Sequence, residues 1–225
     1  MKKIFENFNI NLSEEQLEKF EKYYQLLIEY NQKFNITAIT EREEIIIKHF
    51  VDSVINVDKL KGSLIDIGSG GGFPAIPLKI VNENLDVTLV ESTGKKCDFL
   101  LKVIESLKLT SVRVINGRAE ELARRENYRE KFDFASARAV ARLNTLAEYC
   151  IPFVKKGGTF IAFKGDYKQE LLEAENAIKI LGGKVEETKD FMLNEYKRGI
   201  IYIKKVKNTE SKYPRGRGKE RKNPL

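Results

Sequence analysis

The sequence predicts an α/β fold: a seven-stranded, mostly parallel sheet whose last strand runs antiparallel, preceded by a helical extension. Three observations carry this expectation. From Ser63 onward, apolar runs of strand length alternate with helix-length stretches, the pattern that calls for a parallel sheet. The first run, Leu64-Ile65-Asp66-Ile67, ends in the glycine-packed turn Gly68-Ser69-Gly70-Gly71-Gly72. The last two runs are separated only by the turn at residues 194–198, too short for a crossover helix, so they should pair antiparallel.

In chain order, Ser13-Glu14-Glu15-Gln16 reads as a capping box opening a helix whose apolar positions Leu17, Phe20, Tyr24, Leu27 and Phe34 keep mostly to helical spacing. Thr40 with Glu43 suggests a second helix start. Residues 1–60 are therefore expected as a helical extension. Residues 61–205 form the sheet domain, with strands near 63–67, 86–91, 111–115, 132–136, 158–164, 184–193 and 199–205 and helices between the first six. Residues 206–225 form a basic, flexible tail.

Composition narrows the function classes. The chain has 225 residues, 42% of them hydrophobic, enough to bury a layered core. No apolar run approaches the length of a membrane span, and Met1-Lys2-Lys3-Ile4-Phe5-Glu6 lacks an uninterrupted apolar leader, so a cytoplasmic location is expected. Cys97 and Cys150 stand far apart and His49 is the only histidine, so neither a zinc set nor a disulfide framework is expected. From Lys204 to Leu225 nine Lys or Arg face Glu210 and Glu220, an excess of seven that equals the formal net charge of +7 for the whole chain. Such a tail reads either as an arm tracking a phosphate backbone or as a solubilising segment.

The glycine turn is a cradle for a nucleotide-like ligand. A dinucleotide fingerprint needs a third glycine where this chain has Phe73, and Asp66 would repel a diphosphate. A ligand with an ammonium group and a sulfonium charge is favoured instead, which points to S-adenosylmethionine. Val87-Thr88-Leu89-Val90 then ends in Glu91, about where such folds place the carboxylate that binds ribose. Crossovers ending in a hairpin complete the Rossmann-like sheet of the class I SAM-dependent methyltransferases.

Several segments, in order and spacing, resemble one family. They are His49-Phe50-Val51-Asp52-Ser53, the loop from Asp66 to Pro77, Glu91-Ser92 with Lys95-Lys96, Gly117-Arg118-Ala119-Glu120, Ser136-Ala137-Arg138-Ala139, Lys164-Gly165 and Tyr213-Pro214-Arg215. The chain is similar over nearly its whole length to the bacterial small-subunit rRNA guanine-N7 methyltransferases, RsmG, formerly glucose-inhibited division protein B. The commonest family loop carries a further glycine where this chain has Ala75.

The resemblance implies SAM contacts at Gly68, Phe73, Ala119, Glu120 and Arg138. On physical grounds Gly68 and Gly70 admit backbone approach, Phe73 offers an apolar wall, Asp66 and Glu91 supply carboxylates, and Ala119 and Glu120 are placed for the adenine edge or simply as an acidic helix start. Arg138 is the positioning candidate, for the methionine carboxylate or for RNA. Lys164 is an RNA contact or a snorkelling surface lysine. His49, Arg215 and Arg217 complete the RNA-binding candidates, and His49 with Asp52 reads as a hydrogen-bonding pair or part of the target pocket. No acid or base is required, because N7 of guanine loses no proton on methylation.

The expected activity is transfer of the SAM methyl group to N7 of one guanosine in 16S rRNA, by in-line displacement. The expected partner is 16S rRNA or the small ribosomal subunit, with no metal, no membrane and a monomeric enzyme. The alternatives are a methyltransferase acting on another RNA, a small molecule or a protein, and a non-catalytic RNA-binding protein with a retained fold. The intact loop opposes a degenerate site, and Phe73 with Asp66 opposes a nicotinamide enzyme.

Overall fold

Ser13 opens the first long helix as its sequence signature predicts. Its hydroxyl accepts from the Gln16 amide at 3.2 Å while the Gln16 side chain accepts from the Ser13 amide at 3.0 Å. In the computed structural model, which describes residues 1–57 and 60–225, α1 (Lys2–Asn7) precedes this helix, α2 (Glu14–Asn31). Asp58 and Lys59, at the expected end of the extension, lie outside the described residues. The buried stripe of α2 is Phe20, Tyr23 and Leu27. Tyr23 thus takes the inward place expected for Tyr24, and Phe34 falls beyond the helix end. The second start is at Glu41, with no side-chain cap, so Thr40 does not cap it. There α3 (Arg42–Ile45) runs into a π-helical stretch, Ile46–Val51, and on into α4 (Asp52–Val54).

The sheet domain follows as β1 (Ser63–Ile67), α5 (Ala75–Val81), β2 (Asp86–Glu91), α6 (Gly94–Ser106), β3 (Val112–Asn116), α7 (Ala119–Leu122), β4 (Phe132–Arg138), α8 (Leu143–Cys150), β5 (Val154–Lys164), α9 (Lys168–Ile180), β6 (Gly183–Leu193) and β7 (Tyr196–Lys205), with α10 (Lys219–Lys222) in the tail. Strand order is β3-β2-β1-β4-β5-β7-β6, and β7 runs antiparallel to both its neighbours. Order reverses between β1 and β4, and the crevice outside that switch point is where open α/β sheets bind ligands. Ser111 sits at φ 54°, a left-handed conformation that no strand residue adopts, so β3 begins one residue later than its apolar pattern suggests. Arg138, expected just past β4, is its last residue.

Alternation along the strands divides the interior. Leu64, Leu89 and Ile161 pack toward the extension with Phe20 and Phe50, whereas Ile65, Ala135 and Phe160 pack toward α8 and α9 with Leu146 and Ile178. Asp66 shares the face of Leu64, and Arg138 the face of Ser136, so both look toward the extension.

The flexible tail is corrected. Thr209, Tyr213 and Glu220 are buried, and Arg215 donates its amide and its side chain to the buried Glu148, with distances of 2.7 to 3.1 Å. Arg129 reaches the carbonyls of Thr209, Glu210 and Tyr213 at 2.7, 3.0 and 2.8 Å. At the tail's root Lys205 is itself buried; desolvation pulls its ammonium down to about 8 against the pull of Glu130, 3.1 Å away. The basic count masked this packing, because composition does not show which cations find buried carboxylates. In RNA-free protein, the amides of Tyr213, Arg215 and Gly216 should be protected from hydrogen exchange. Exchange at the rate of an unstructured chain would restore the free arm.

Candidate active site

The parallel strands β1 to β4 bring their carboxyl ends to one edge, and there the chain turns sharply after Ile67. Gly68 adopts φ 69° and Gly72 φ 92°, conformations that favour glycine. Space is also short: a Cβ on Gly68 would meet Val140 Cγ2 at 2.7 Å, and one on Gly72 the Tyr23 hydroxyl at 2.6 Å. The amides of Gly68 and Ser69 both donate to the Val90 carbonyl, at 2.8 and 3.0 Å, welding the turn to β2. Glu91 closes it from the side, one carboxylate oxygen accepting from the Gly70 amide at 2.9 Å and the other from the Thr93 amide at 2.8 Å.

Two clefts open on this edge. The first, about 320 Å³, is lined by Gly68, Val90, Glu120, Val140, Tyr149 and Arg221, among others. Ala119 also lines it. The second, about 280 Å³, is lined by His49, Asp52, Arg138, Phe163, Lys164 and Arg198, among others. The wall between them is the loop after β4: Val140 faces the first cleft and Ala139, held at φ 57°, the second.

A buried network shapes the second cleft. Arg138 donates to Asp52 Oδ2 at 2.9 Å and to the Lys48 carbonyl at 3.2 Å, and its other terminal nitrogen lies 3.3 Å from His49 Nδ1. Asp52 Oδ1 accepts from Arg198 Nε at 3.2 Å, so one carboxylate holds two arginines. A guanidinium only donates, so His49 Nδ1 is the acceptor; its proton sits on Nε2, 2.8 Å from the Thr37 hydroxyl. Phe73 fills the space behind, stacked on His49 at 4.5 Å and on Tyr23 at 5.4 Å, with Arg138 5.1 Å from its ring centre.

Expectations and placement divide accordingly. Gly68, Ala119 and Glu120 meet in the first cleft, whereas Glu91 does not line it and is held by the Gly70 and Thr93 amides. Phe73 lies against the extension and lines neither cleft, because Tyr23 and His49 take its ring. Asp66 is fully buried: Ser136, its register partner, donates to Oδ1 at 2.7 Å, Oδ2 has no hydrogen-bond partner among the described residues, and burial pushes the carboxyl up to about 7. His49 and Asp52 are brought together by Arg138 and do not bond to each other. Lys164 lines the second cleft, and its ammonium donates to the Ala141 carbonyl at 2.8 Å and to Glu170 at 2.6 Å, tying it to the loop between the clefts. Arg215 is spent on Glu148, whereas Arg217 stays exposed beside Arg118, Arg124 and Lys219 around a shallow cleft of about 670 Å³. Arg198 and Arg221 carried no motif; the first hid in a turn, the second in the tail's general charge.

Among the described residues no group of three or more His, Cys, Asp or Glu side chains is placed to hold a metal ion, and no helix is long and apolar enough to cross a membrane. Burial, aided by the Arg138 charge, lowers His49 from 6.5 to about 3. Because an unfolded imidazole takes its proton near 6.5 and the folded one only near 3, its contribution to stability is complete above 6.5 and drains away as pH falls toward 3. Nitrogen NMR should find a neutral ring, protonated on Nε2, from about pH 8 down to about pH 5. A midpoint near the ordinary value would contradict this arrangement.

Among solved structures, the fold is similar to M. jannaschii TYW2 in complex with AdoMet (TM-score 0.60, 14% identity, covering 76% of this chain and 81% of that one). It is also similar to a SAM-dependent methyltransferase from Aquifex aeolicus (TM-score 0.53, 16% identity, covering 71% and 92%). These likenesses show the fold alone. In sequence the chain is 49% identical to the ribosomal RNA small subunit methyltransferase G of Acetivibrio thermocellus, covering 97% of this chain and 92% of the relative. It is 50% identical to that of Lachnoclostridium phytofermentans, covering 97% and 93%. The family model described as rRNA small subunit methyltransferase G, GidB, matches residues 16–201, and the chain therefore belongs to that family.

Proposed function

We propose that this chain is the SAM-dependent methyltransferase that methylates N7 of one guanosine in 16S rRNA, and that the two clefts divide the work. The observation that carries the division is their adjacency: a cleft at the glycine turn, lined by Gly68, Ala119 and Glu120, on one side of the loop after β4, and a cleft lined by His49, Arg138 and Phe163 on the other. The first cleft fits the cofactor, since Glu120 on its wall can accept from an adenine amine, and Glu91, beside the turn with its oxygens on the Gly70 and Thr93 amides, has acceptor capacity left for ribose hydroxyls. The half-unpaired Asp66 places a carboxyl group with one unsatisfied oxygen beneath the turn. When bound, SAM supplies an electrophilic methyl group.

The protein's part is positioning and exclusion of water. N7 presents a lone pair and sheds no proton, and a histidine held neutral by burial is suited to shaping a pocket rather than shuttling protons. The second cleft would take the guanine after it leaves its stack or from an open loop. Asp52, fixed between Arg138 and Arg198, holds both guanidinium groups in place at the wall of this cleft. Arg217, with Arg118 and Lys219, is the candidate contact for phosphate, releasing counterions as RNA binds. We place the enzyme as a cytoplasmic monomer, in the compartment of its ribosomal substrate.

Small subunits from cells lacking this activity, incubated with the protein and methyl-labelled SAM and digested to nucleosides, should yield labelled 7-methylguanosine by mass spectrometry. Absence of labelled nucleoside, with SAM binding confirmed alongside, would remove small-subunit rRNA as the acceptor.

A further inference from the structure

The tail does more than pack: it supplies a wall of the first cleft. Gly218 and Arg221 line that cleft opposite Gly68 and Val90, in company with Glu120 of α7 and Tyr149 of α8. The segment is tied to both helices' surroundings. On the α8 side the Thr145 hydroxyl donates to the Glu220 carbonyl at 2.9 Å, and Arg215 grips Glu148; just past α7, Arg124 donates to the carbonyls of Pro214 and Arg215 at 2.5 and 3.1 Å. Between these anchors Gly216, Arg217 and Gly218 stand at φ 74°, 59° and 73°, a run of left-handed residues that turns the chain back on itself, and the Gly216 amide donates to the Glu220 carboxylate. The result is a strap along the cleft, with Arg221 among its lining residues and Arg217 exposed to solvent.

We propose that this strap is part of the cofactor site, Arg221 pairing with Glu120 to recognise the adenine of SAM. This rests on the cofactor assignment made above and adds a residue and a segment to it. Adenine presents an amino donor beside a ring-nitrogen acceptor; a carboxylate on one wall and a guanidinium on the other are the complementary pair. Guanine, with the reverse order of donor and acceptor, mismatches both. Arg221 and Tyr149, which interact through the phenol hydroxyl, line this cleft together. Since the outer face of the same strap carries Arg217 and Lys219, cofactor and RNA engage two sides of one segment, and their affinities become linked.

The test uses the full chain without RNA, titrated calorimetrically with SAM. R221A removes an exposed side chain and should melt like the unaltered protein while binding SAM on the order of tenfold more weakly. R217A, on the outer face, should bind SAM unchanged. Saturating SAM should also slow hydrogen exchange at the amides of Gly216 to Arg221. Equal affinity for R221A, or exchange in the strap indifferent to SAM, would overturn the strap's role while leaving the cofactor assignment standing. Absence of SAM binding by the unaltered chain would overturn that assignment and this inference together.

Discussion

One buried arginine sets the geometry on which both clefts depend. Arg138 ends β4, the strand beside the switch point, and reaches across to the π-helical stretch of the extension. Its guanidinium finds Asp52, the Lys48 carbonyl and His49 there. Both partners of the ion pair are largely buried, at 13% and 7% side-chain exposure. Burial of this kind makes the pair asymmetric: forming it yields little net stability, but removing one partner strands a charge and costs about 3–5 kcal/mol. The pair therefore acts less as glue than as a constraint on where the extension can sit.

What the constraint positions follows from the π-helical stretch. Its extra residue per turn rotates the side chains after Ile46, so that Phe50 and Val51 bury toward the sheet while His49 and Asp52 reach Arg138. Phe73, just past the glycine turn, is then sandwiched into the same assembly through Tyr23 and His49. The glycine turn and the second cleft are thus supported by one aromatic and ionic cluster, although they sit on different strands. The wall between them is thin, held by Lys164 and Glu170 from below and carrying a left-handed Ala139 at its crest.

Much of this was legible in the residues. The strand at Leu64 to Ile67 announces itself because its apolar run and its glycine stop are both local, and Ser13 with Gln16 caps α2 as its spacing foretells. Spacing singles out Glu91 as the carboxylate for ribose, and in the structure its two oxygens accept from the Gly70 and Thr93 amides. Legibility failed where the partner lies far along the chain. Nothing local to Arg215 shows that Glu148 is buried 67 residues away, so a basic tail reads as a free one. Phe73 and Lys164 look like site residues by position; their partners, Tyr23 and His49 for the first and the Ala141 carbonyl and Glu170 for the second, come from elements distant in sequence or unmarked by any motif. Tyr23 and Tyr24 satisfy the helical period nearly equally well, and only the packing of Tyr23 against Phe50 and Phe73 decides between them.

The constraint at Arg138 is tested most directly by a double-mutant cycle of R138M and D52N, read by urea unfolding. A pair that locks the extension to the sheet should show a coupling of about 2 kcal/mol or more. Additivity to within about 0.5 kcal/mol would mean that the two side chains contribute independently, and that the extension is held by its apolar contacts alone.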